Sequence, residues 1–294
     1  MLFLPLLFLL PLAGAPPTRT PDLELDPTRL QARVDEVLRR ALPATVGVEI
    51  GRERGSGVLV TGEGLVMTAA HVSGVPGMPA TVILADGTRV RAVTLGANTA
   101  TDAGLLRVEE PSDEPYPFVP VPEPGPGGPR VGDWCLALGH PGGFESGRPA
   151  VPRLGRLQEL SGRFVQSDCP IIFGDSGGPL FDLDGNLVGI HSRIEQEVAA
   201  NYHVPMSAYR LGWERLLAGE SWRGSDARLG IRAARAAEEG VQVDAVIEGG
   251  AAAAAGLRVG DVLLRVGGER LHDLTMLRTF LDDLRRGDTV DLVA

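Results

Sequence analysis

A serine flanked by glycines is the strongest candidate nucleophile of this chain. It is Ser176, in the string Gly174-Asp175-Ser176-Gly177-Gly178-Pro179. Nucleophilic catalysis by serine needs a tight turn that exposes the hydroxyl, and backbone N–H groups that face a developing oxyanion. Glycines on both sides of Ser176 permit such a turn. Taken alone, the string also suits an ordinary turn, because Asp, Ser and Gly are all turn residues.

Two further residues could complete this chemistry. His71 follows two alanines at the end of an apolar run, and Asp102 stands at the entry to another. Each alone would suit a structural role, the aspartate as a cap or turn residue. In the order His, Asp, Ser they predict a triad in which His71 accepts the proton of Ser176 and Asp102 fixes the histidine tautomer. The N–H groups of Gly174 and Ser176, with Asp175 as a further candidate, are expected to form the oxyanion hole.

Short strands are predicted to position these residues. Apolar runs separated by glycine-containing turns favour a β-barrel or sandwich over a helical bundle. A helix over Pro205–Ala218 is expected to close this region. The predicted strands cover residues 45–50, 58–60, 65–68, 81–84, 89–95, 104–108, 134–138, 154–160, 163–166, 178–181 and 187–191.

A proline-rich stretch divides the predicted strands into two groups. Pro111–Arg130 contains eight prolines in twenty residues. Such a stretch could be a disordered linker or a polyproline ligand for a partner. Tyr116, Phe118 and Val119 alternate with the prolines, which favours a packed crossing between two β subdomains.

Composition excludes several classes of protein. The chain has 294 residues, 44% apolar and 22% charged, which is typical of about two globular domains and not of a disordered protein. The net charge of −10 disfavours binding to nucleic-acid phosphates. The histidines lack metal-ligand spacing and no cofactor-binding motif occurs, so neither metal nor cofactor is expected. Cys135 and Cys169 are expected as buried thiols, with a disulfide between them as the alternative.

The first residues predict export. Met1–Leu12 is almost wholly apolar and precedes Ala13-Gly14-Ala15, so residues 1–15 are interpreted as a secretory signal peptide. An uncleaved anchor is the alternative, although the run is shorter than a bilayer span. A periplasmic or secreted location follows. Residues 16–43 are predicted as a lead-in segment with a helix that starts at Asp26-Pro27, or as an oligomerisation arm.

Residues 44–218 resemble a trypsin-fold serine protease of the HtrA (DegP-like) branch. The motifs that carry the resemblance are GSGVLV at 55–60, TAAHV at 68–72, TDAGLLRV at 101–108, LALGHPGG at 136–143 and GDSGGPLFDLDGNLVGI at 174–190. The resemblance implies a mainly β fold with two six-stranded antiparallel barrels and a triad of His71, Asp102 and Ser176 in the cleft between them. One residue departs from the HtrA pattern, which usually has asparagine where Asp175 stands. Digestive trypsin-like enzymes have aspartate there, paired with an N-terminus freed by cleavage; here Arg193 is the expected partner.

The resemblance also implies a primary substrate pocket. Ser167–Phe173 should line its base and Ile190–Ile194 its wall. The position that selects charge in trypsin-like enzymes falls at Pro170 or Cys169, which predicts an uncharged pocket for aliphatic side chains. The residues assigned to this pocket are Cys169, Pro170, Ile190, His191, Ser192 and Arg193.

Residues 229–294 resemble a small α+β PDZ domain, joined by a linker at 219–228. The resemblance is carried by RLGI at 228–231 and by VDAVIEGGAAAAAGLRVGDVLLRVGGERL at 243–271. It implies that Leu229, Gly230 and Ile231 hold a peptide's terminal carboxylate, and that Leu277 shapes the side-chain pocket. The alternative is a spacer whose groove stays empty. The chain ends within an expected strand, so the domain is expected to be truncated.

Together these features predict an exported serine endopeptidase that degrades unfolded or damaged envelope proteins. Its expected partners are unfolded protein substrates and a C-terminal peptide at the PDZ domain, with no nucleic acid. The resemblance leaves a homo-oligomer open and does not predict a trimer, because residues 16–43 lack the aromatic residue on which HtrA trimers commonly depend. Two alternatives stay open: a catalytically silent peptide-binding chaperone or scaffold, and a narrow-specificity processing protease.

Overall fold

The fold is mainly β, as the sequence predicts: two closed six-stranded antiparallel barrels precede a small α+β region. The computed structural model describes residues 26–110, 112, 114–123, 128–194, 200–225, 227–236, 240–271, 273–285 and 287–294. The predicted signal peptide therefore lies outside the described residues.

A helix leads into the first barrel. It is α1 (Pro27–Ala44), and Asp26 caps it by accepting the N–H of Thr28, which confirms the predicted helix start. Val37 and Ala41 are buried in the same apolar cluster as side chains of both barrels. The helix therefore packs on the body of the molecule.

The first barrel is built from the strands of the N-terminal half. Its strands are β1 (Thr45–Ile50), β2 (Glu53–Leu59), β3 (Leu65–Ala69), β4 (Pro79–Ile83), β5 (Arg89–Asn98) and β6 (Ala103–Val108), with a short helix α2 (Ala70–Ser73) after β3. They pair in the order β5-β4-β1-β2-β3-β6, and β5 pairs with β6 to close the barrel. Its interior is a cluster of small aliphatic side chains, in keeping with the valine-rich strands.

The second barrel follows the proline-rich crossing. Its strands are β7 (Trp134–Gly139), β8 (Val151–Leu160), β9 (Val165–Ser167), β10 (Pro179–Asp182), β11 (Leu187–Ile194) and β12 (Asn201–Pro205), closed in the order β10-β11-β12-β9-β8-β7. The short β9 and β10 leave a long connection between them. That connection carries the string with Ser176.

The described part of the crossing packs on the first barrel. Tyr116 N donates to Gly62 O at 2.9 Å and Val119 N to Leu59 O at 3.0 Å. Tyr116 and Val119 are buried. These contacts confirm a packed crossing for this part; residues 124–127 lie outside the described residues.

The segment after the second barrel departs from two expectations. The single helix predicted over Pro205–Ala218 is two short helices, α3 (Met206–Leu211) and α4 (Trp213–Leu217). The helix breaks at Gly212, where the Trp222 ring leaves no room for a β-carbon. The segment predicted as a loop contains strand β13 (Ser221–Trp222), which pairs in parallel with β5 because Trp222 is buried against it.

The C-terminal region has two three-stranded sheets around one small core. Its elements are β14 (Ile231–Ala236), β15 (Val241–Val246), α5 (Ala251–Ala254), β16 (Val262–Leu263), β17 (Arg265–Val266), β18 (Glu269–Arg270), α6 (Leu274–Asp283) and β19 (Leu292–Val293). The sheet orders are β14-β15-β16 and β18-β17-β19. Asp273 caps α6 by accepting the N–H of Met276 at 2.7 Å.

Candidate active site

Asp102 holds His71 at two points. Its Oδ2 lies 2.8 Å from His71 Nδ1, and its Oδ1 accepts the His71 backbone N–H at 2.9 Å. Because a carboxylate can only accept, the Nδ1 atom carries the proton and Nε2 is left as a base. The structure thus brings together the predicted histidine and aspartate in the geometry that general-base chemistry needs.

The backbone of Asp102 is in the left-handed region, with φ 66°. Non-glycine residues rarely adopt this conformation, and where they do it often serves a functional geometry. Asn98 stabilises the turn, because its Oδ1 accepts the N–H groups of Ala100 and Thr101 at 2.9 and 3.3 Å. Ala70 N also donates to Asp102 O at 2.8 Å, so the turn is tied to the segment that carries His71.

The hydrogen bonds of this pair shift both protonation equilibria. The hydrogen bond to Asp102 raises the pKa of His71, against the opposing effect of burial. Burial alone would raise the pKa of Asp102, but the hydrogen bonds from His71 and Ser192 outweigh it and lower that pKa. Asp102 is therefore ionised at neutral pH and stabilises a protonated His71.

Ser192 contacts both halves of the candidate site. Its Oγ donates to Asp102 Oδ2 at 2.6 Å, and its carbonyl accepts the Ser176 hydroxyl at a long 3.5 Å. Among the described residues this is the hydrogen bond that Ser176 Oγ makes, and none joins it to His71. Ser192 was expected only in the pocket wall. Its contact with Asp102 spans 90 residues of sequence, so no local pattern could have indicated it.

Ser56 anchors the serine-bearing loop to the first barrel. Its hydroxyl donates to Gly174 O at 2.8 Å and accepts the His140 N–H at 2.9 Å, while its own N–H donates to Ser176 O at 2.8 Å. Ser56 belongs to the GSGVLV string, which signalled only the family. The loop is thereby held across the cleft, beside the strand that leads to His71.

Two of the three predicted oxyanion donors are available. Among the described residues, the N–H groups of Gly174 and Ser176 have no protein acceptor. The Asp175 N–H instead donates to Ile172 O at 3.0 Å, so the expectation for Asp175 is wrong. The tight turn points the Asp175 N–H inward, so that the N–H groups of Gly174 and Ser176 are left to bind a ligand oxygen.

The expected partner of Asp175 is also wrong. The side chain of Asp175 is fully buried and pairs with Arg153, at 2.9 Å between Oδ2 and Nη2. Arg193 instead places its guanidinium 5.1 Å from the centre of the Tyr202 ring. Arg153 is on β8, whose neighbour β7 passes directly behind Asp175, whereas Arg193 lies on the exposed side of β11.

Three of the six predicted pocket residues are buried inside the protein. Cys169, Ile190 and His191 are buried. His191 uses both ring nitrogens inside the protein, one with Leu138 O at 3.1 Å and one with His203 Nδ1 at 2.9 Å. All three side chains are therefore buried in the protein and do not line the cleft.

The remaining pocket positions are accessible. Pro170 and Arg193 are exposed, and Ser192 is half-buried. Two large apolar side chains at the end of the predicted pocket stretch Ser167–Phe173, Ile172 and Phe173, are 55% and 70% exposed beside the serine-bearing turn. They are the apolar surface that a bound chain would meet there.

The cysteines remain thiols, as expected. The Sγ atoms of Cys135 and Cys169 lie 3.7 Å apart, and both residues are buried without a disulfide. The described residues contain no cluster of three or more His, Cys, Asp or Glu side chains suited to a metal ion. Over the same residues, no helix is long and apolar enough to cross a membrane.

The predicted peptide-binding loop of the C-terminal region is ordered by its backbone. Gly230 has φ +80°, and its carbonyl accepts the Ile247 N–H at 2.8 Å. Leu229 O accepts the Ala252 N–H at 2.7 Å. Strand β14, which begins at Ile231, pairs only with β15 in the described residues, so its other edge could add a peptide strand. Leu277 is buried in the core below this edge, so its side chain does not line an open pocket.

Comparison with known proteins follows the same division. Residues 55–190 match the trypsin-like peptidase domain family, and residues 227–293 match the PDZ domain family. The chain is 30% identical over 253 residues to a protein named "Probable periplasmic serine endoprotease DegP-like" from Rickettsia prowazekii, covering 78% of this chain and 48% of that protein. The chain spans about half the length of the curated relatives it matches.

Two solved structures are similar over most of their length. The serine endoprotease from Yersinia pestis superposes with a TM-score of 0.57 at 27% identity, covering 88% of this chain and 91% of that one. A serine-to-alanine variant of the HtrA-type protease AlgW, solved with a tripeptide, gives a TM-score of 0.59 at 25% identity with the same coverage.

The two barrels and the matched families define a trypsin-like peptidase domain joined to a PDZ domain. More narrowly, its relatives and structural neighbours are HtrA-type and DegP-like proteases, which confirms the resemblance found in its motifs.

Proposed function

We propose that this protein is a serine endopeptidase whose triad is His71, Asp102 and Ser176. The observation that carries the proposal is the pair of hydrogen bonds between Asp102 and His71. Next to them lies the loop with Ser176, in which the N–H groups of Gly174 and Ser176 have no acceptor among the described residues. A structural role for these residues would not explain why the Gly174 and Ser176 N–H groups have no acceptor within the described part of the chain.

The proposed reaction uses each group in turn. Ser176 Oγ attacks the scissile carbonyl carbon while His71 Nε2 takes its proton. The N–H groups of Gly174 and Ser176 stabilise the resulting oxyanion, and Asp102 stabilises the imidazolium. Collapse breaks the peptide bond, and the leaving amine takes the proton from His71. Water, activated by the same histidine, then hydrolyses the acyl-enzyme and restores Ser176.

The long Ser176 hydrogen bond describes a starting state for this reaction. The hydroxyl lies 3.5 Å from Ser192 O and must rotate toward His71 before it can give up its proton. Catalytic hydrogen bonds are often loose before substrate binds. The same long hydrogen bond also fits the rival function, a catalytically silent peptide-binding chaperone or scaffold. A measurement of substrate turnover distinguishes the two functions.

We further propose export and a division of labour within the chain. Residues 1–15 direct export to the periplasm, and residues 16–43 form the segment that precedes the protease domain. Residues 44–218 cleave unfolded or damaged envelope proteins. Residues 219–228 link this domain to residues 229–294, which bind protein C-termini. The periplasmic names of the relatives, the exposed Ile172 and Phe173, and the open edge of β14 support these assignments.

The first test is turnover of an unfolded protein. The chain from Pro16 should cleave casein, and Ser176→Ala should abolish cleavage because the nucleophile is lost. Equal folding of the two proteins by circular dichroism is the control. If neither protein cleaves casein but both bind it equally, the protein is a peptide-binding scaffold and the proposed protease function is wrong. If a panel of unfolded proteins resists while one folded protein is cut, the enzyme is a narrow processing protease.

A further inference from the structure

A buried ion pair lies directly behind the serine-bearing turn. Both oxygens of Asp175 meet the guanidinium of Arg153, at 2.9 Å for Oδ2 and 3.2 Å for Oδ1. The side chain of Asp175 has no exposed surface, and that of Arg153 is 15% exposed. A carboxylate buried this completely is stable in its charged form only with such a partner.

The cation is fixed by the barrel. Arg153 lies on β8, where it pairs in register with Ala137 of β7. Its Nη1 also donates to Val151 O at 3.3 Å, which holds the guanidinium at the inner end of the strand. A β-carbon on Gly139 of β7 would lie 2.5 Å from Asp175 Oδ1, so this strand closes off the other side. Burial raises the pKa of Asp175, and the hydrogen bond from Ile172 N–H and the charges of Arg153 and Arg148 oppose that rise.

Asp175 in turn sets the shape of the loop. Its Oδ2 accepts the Ile172 N–H at 2.9 Å, its own N–H donates to Ile172 O at 3.0 Å, and its carbonyl accepts the Gly178 N–H at 2.8 Å. These three bonds lock the peptides on either side of Asp175. The Ser176 N–H belongs to the peptide that follows Asp175, and the Gly174 N–H belongs to the peptide one residue earlier, within the turn that the two bonds to Ile172 close.

We propose that Arg153 is a positioning residue that keeps the oxyanion loop in its active shape, in place of an N-terminus freed by cleavage. The inference rests on the proposed protease function and adds to it. An internal cation is present as soon as the chain folds, so activity needs no new N-terminus.

The test is a cycle of Arg153→Met, Asp175→Asn and the double variant, with kcat and KM measured on a casein-derived peptide. Arg153→Met should lower kcat about 100-fold, the size of effect seen when an oxyanion donor is lost, with KM changed much less. The double variant should recover at least about tenfold of this loss, because an asparagine keeps the acceptor for Ile172 N–H without a buried charge. Arg156→Met is the matched control: Arg156 is on the same strand but stacks on Trp134, and its loss should leave kcat unchanged.

Several results would overturn the proposal. They are an unchanged kcat in Arg153→Met, or a folded double variant as inactive as Arg153→Met. If Arg153→Met does not fold, the double variant alone decides, with near wild-type kcat expected. An extra segment fused before Pro16 should also leave kcat unchanged; activity that appears only after that segment is removed would contradict an internal cation. Inactive wild-type protein would instead count against the protease function itself.

Discussion

At the scale of single residues, Ser192 shows how a side chain can join a site that it was not assigned to. Its hydroxyl gives Asp102 a third hydrogen bond, after the two from His71. Donation to a charged group is worth about 1.5–3 kcal/mol. The Ser192 hydroxyl therefore helps to keep Asp102 ionised and aligned, although the hydroxyl itself contacts neither Ser176 nor the His71 ring.

Replacing Ser192 with alanine should lower kcat about tenfold and leave KM nearly unchanged, because the side chain acts through Asp102. Steady-state kinetics on a peptide substrate check this. Ser161→Ala, which removes a hydroxyl bonded to Phe164 O away from the site, is the control. A KM rise with constant kcat would mean that Ser192 serves substrate binding instead.

The residues of the proposed triad could be selected from the sequence, because each lies in a motif with its own local signal. The partners of Asp175 and Asp102 could not. Arg153 and Ser192 reach them across the barrel from strands with no distinguishing pattern. The three buried pocket residues were misassigned because a motif gives positions along the chain, whereas burial depends on how distant strands and loops pack together once the second barrel closes.

At the scale of secondary-structure elements, a chain of buried hydrogen bonds joins four strands of the second barrel. His191 Nε2 donates to Leu138 O, so its Nδ1 must accept from His203 Nδ1. His203 Nε2 then accepts the Ser167 hydroxyl at 2.7 Å. Each donor meets one acceptor only when both rings are neutral. Burial accordingly lowers the pKa of His203 to about 3 and that of His191 well below its ordinary value.

This chain predicts loss of stability in acid. The unfolded histidines bind protons below about pH 6.5, whereas the folded ones do not until far lower pH, so the contribution is complete above pH 6.5 and shrinks as the pH falls. His203 alone should cost about 2 kcal/mol between pH 7 and pH 5. Urea unfolding at the two pH values measures it. His203→Asn should show a smaller pH effect than wild type; an equal one would assign acid sensitivity elsewhere.

The strands were mostly predictable from alternation and turns, but their closure was not. The short β13 has no sequence signal beyond one tryptophan, and its parallel pairing with β5 depends on residues far away in the chain. The break at Gly212 likewise follows from the Trp222 ring, which belongs to a later segment.

At the scale of the whole molecule, two buried carboxylates of the PDZ domain contact the protease domain. Asp283, the last residue of α6, accepts from Trp222 Nε1 at 3.1 Å and from Asn98 Nδ2 at 2.5 Å. Arg215 Nη1 donates to its carbonyl at 3.1 Å. A second contact pairs Arg210 with Glu269. Burial raises the pKa of Asp283 to about 7.

The contact of Asp283 should therefore weaken as the pH rises. Its folded pKa lies above the unfolded value, so ionisation between pH 4 and 7 costs stability, and the cost is complete above pH 7. Relative to Asp283→Asn, the wild type should be about 2 kcal/mol less stable at pH 8 than at pH 5.5. Urea unfolding of both proteins at both pH values provides the comparison. A difference independent of pH would show that Asp283 keeps its charge throughout.

The parallel pairing of β13 also sets the order in which strand β5 can gain its partners. Ala97 N and Thr99 N donate to Glu220 O and Trp222 O, so the end of β5 is completed only after the whole second barrel has been translated. The same end of β5 carries Asn98, which shapes the turn before Asp102. The strands of the first barrel can pair with one another early, but this end of β5 gains its parallel partner only when residues 221–222 have followed. The stretch of β5 that leads to the proposed catalytic aspartate therefore reaches its final form only when the second barrel and the segment after it are both present.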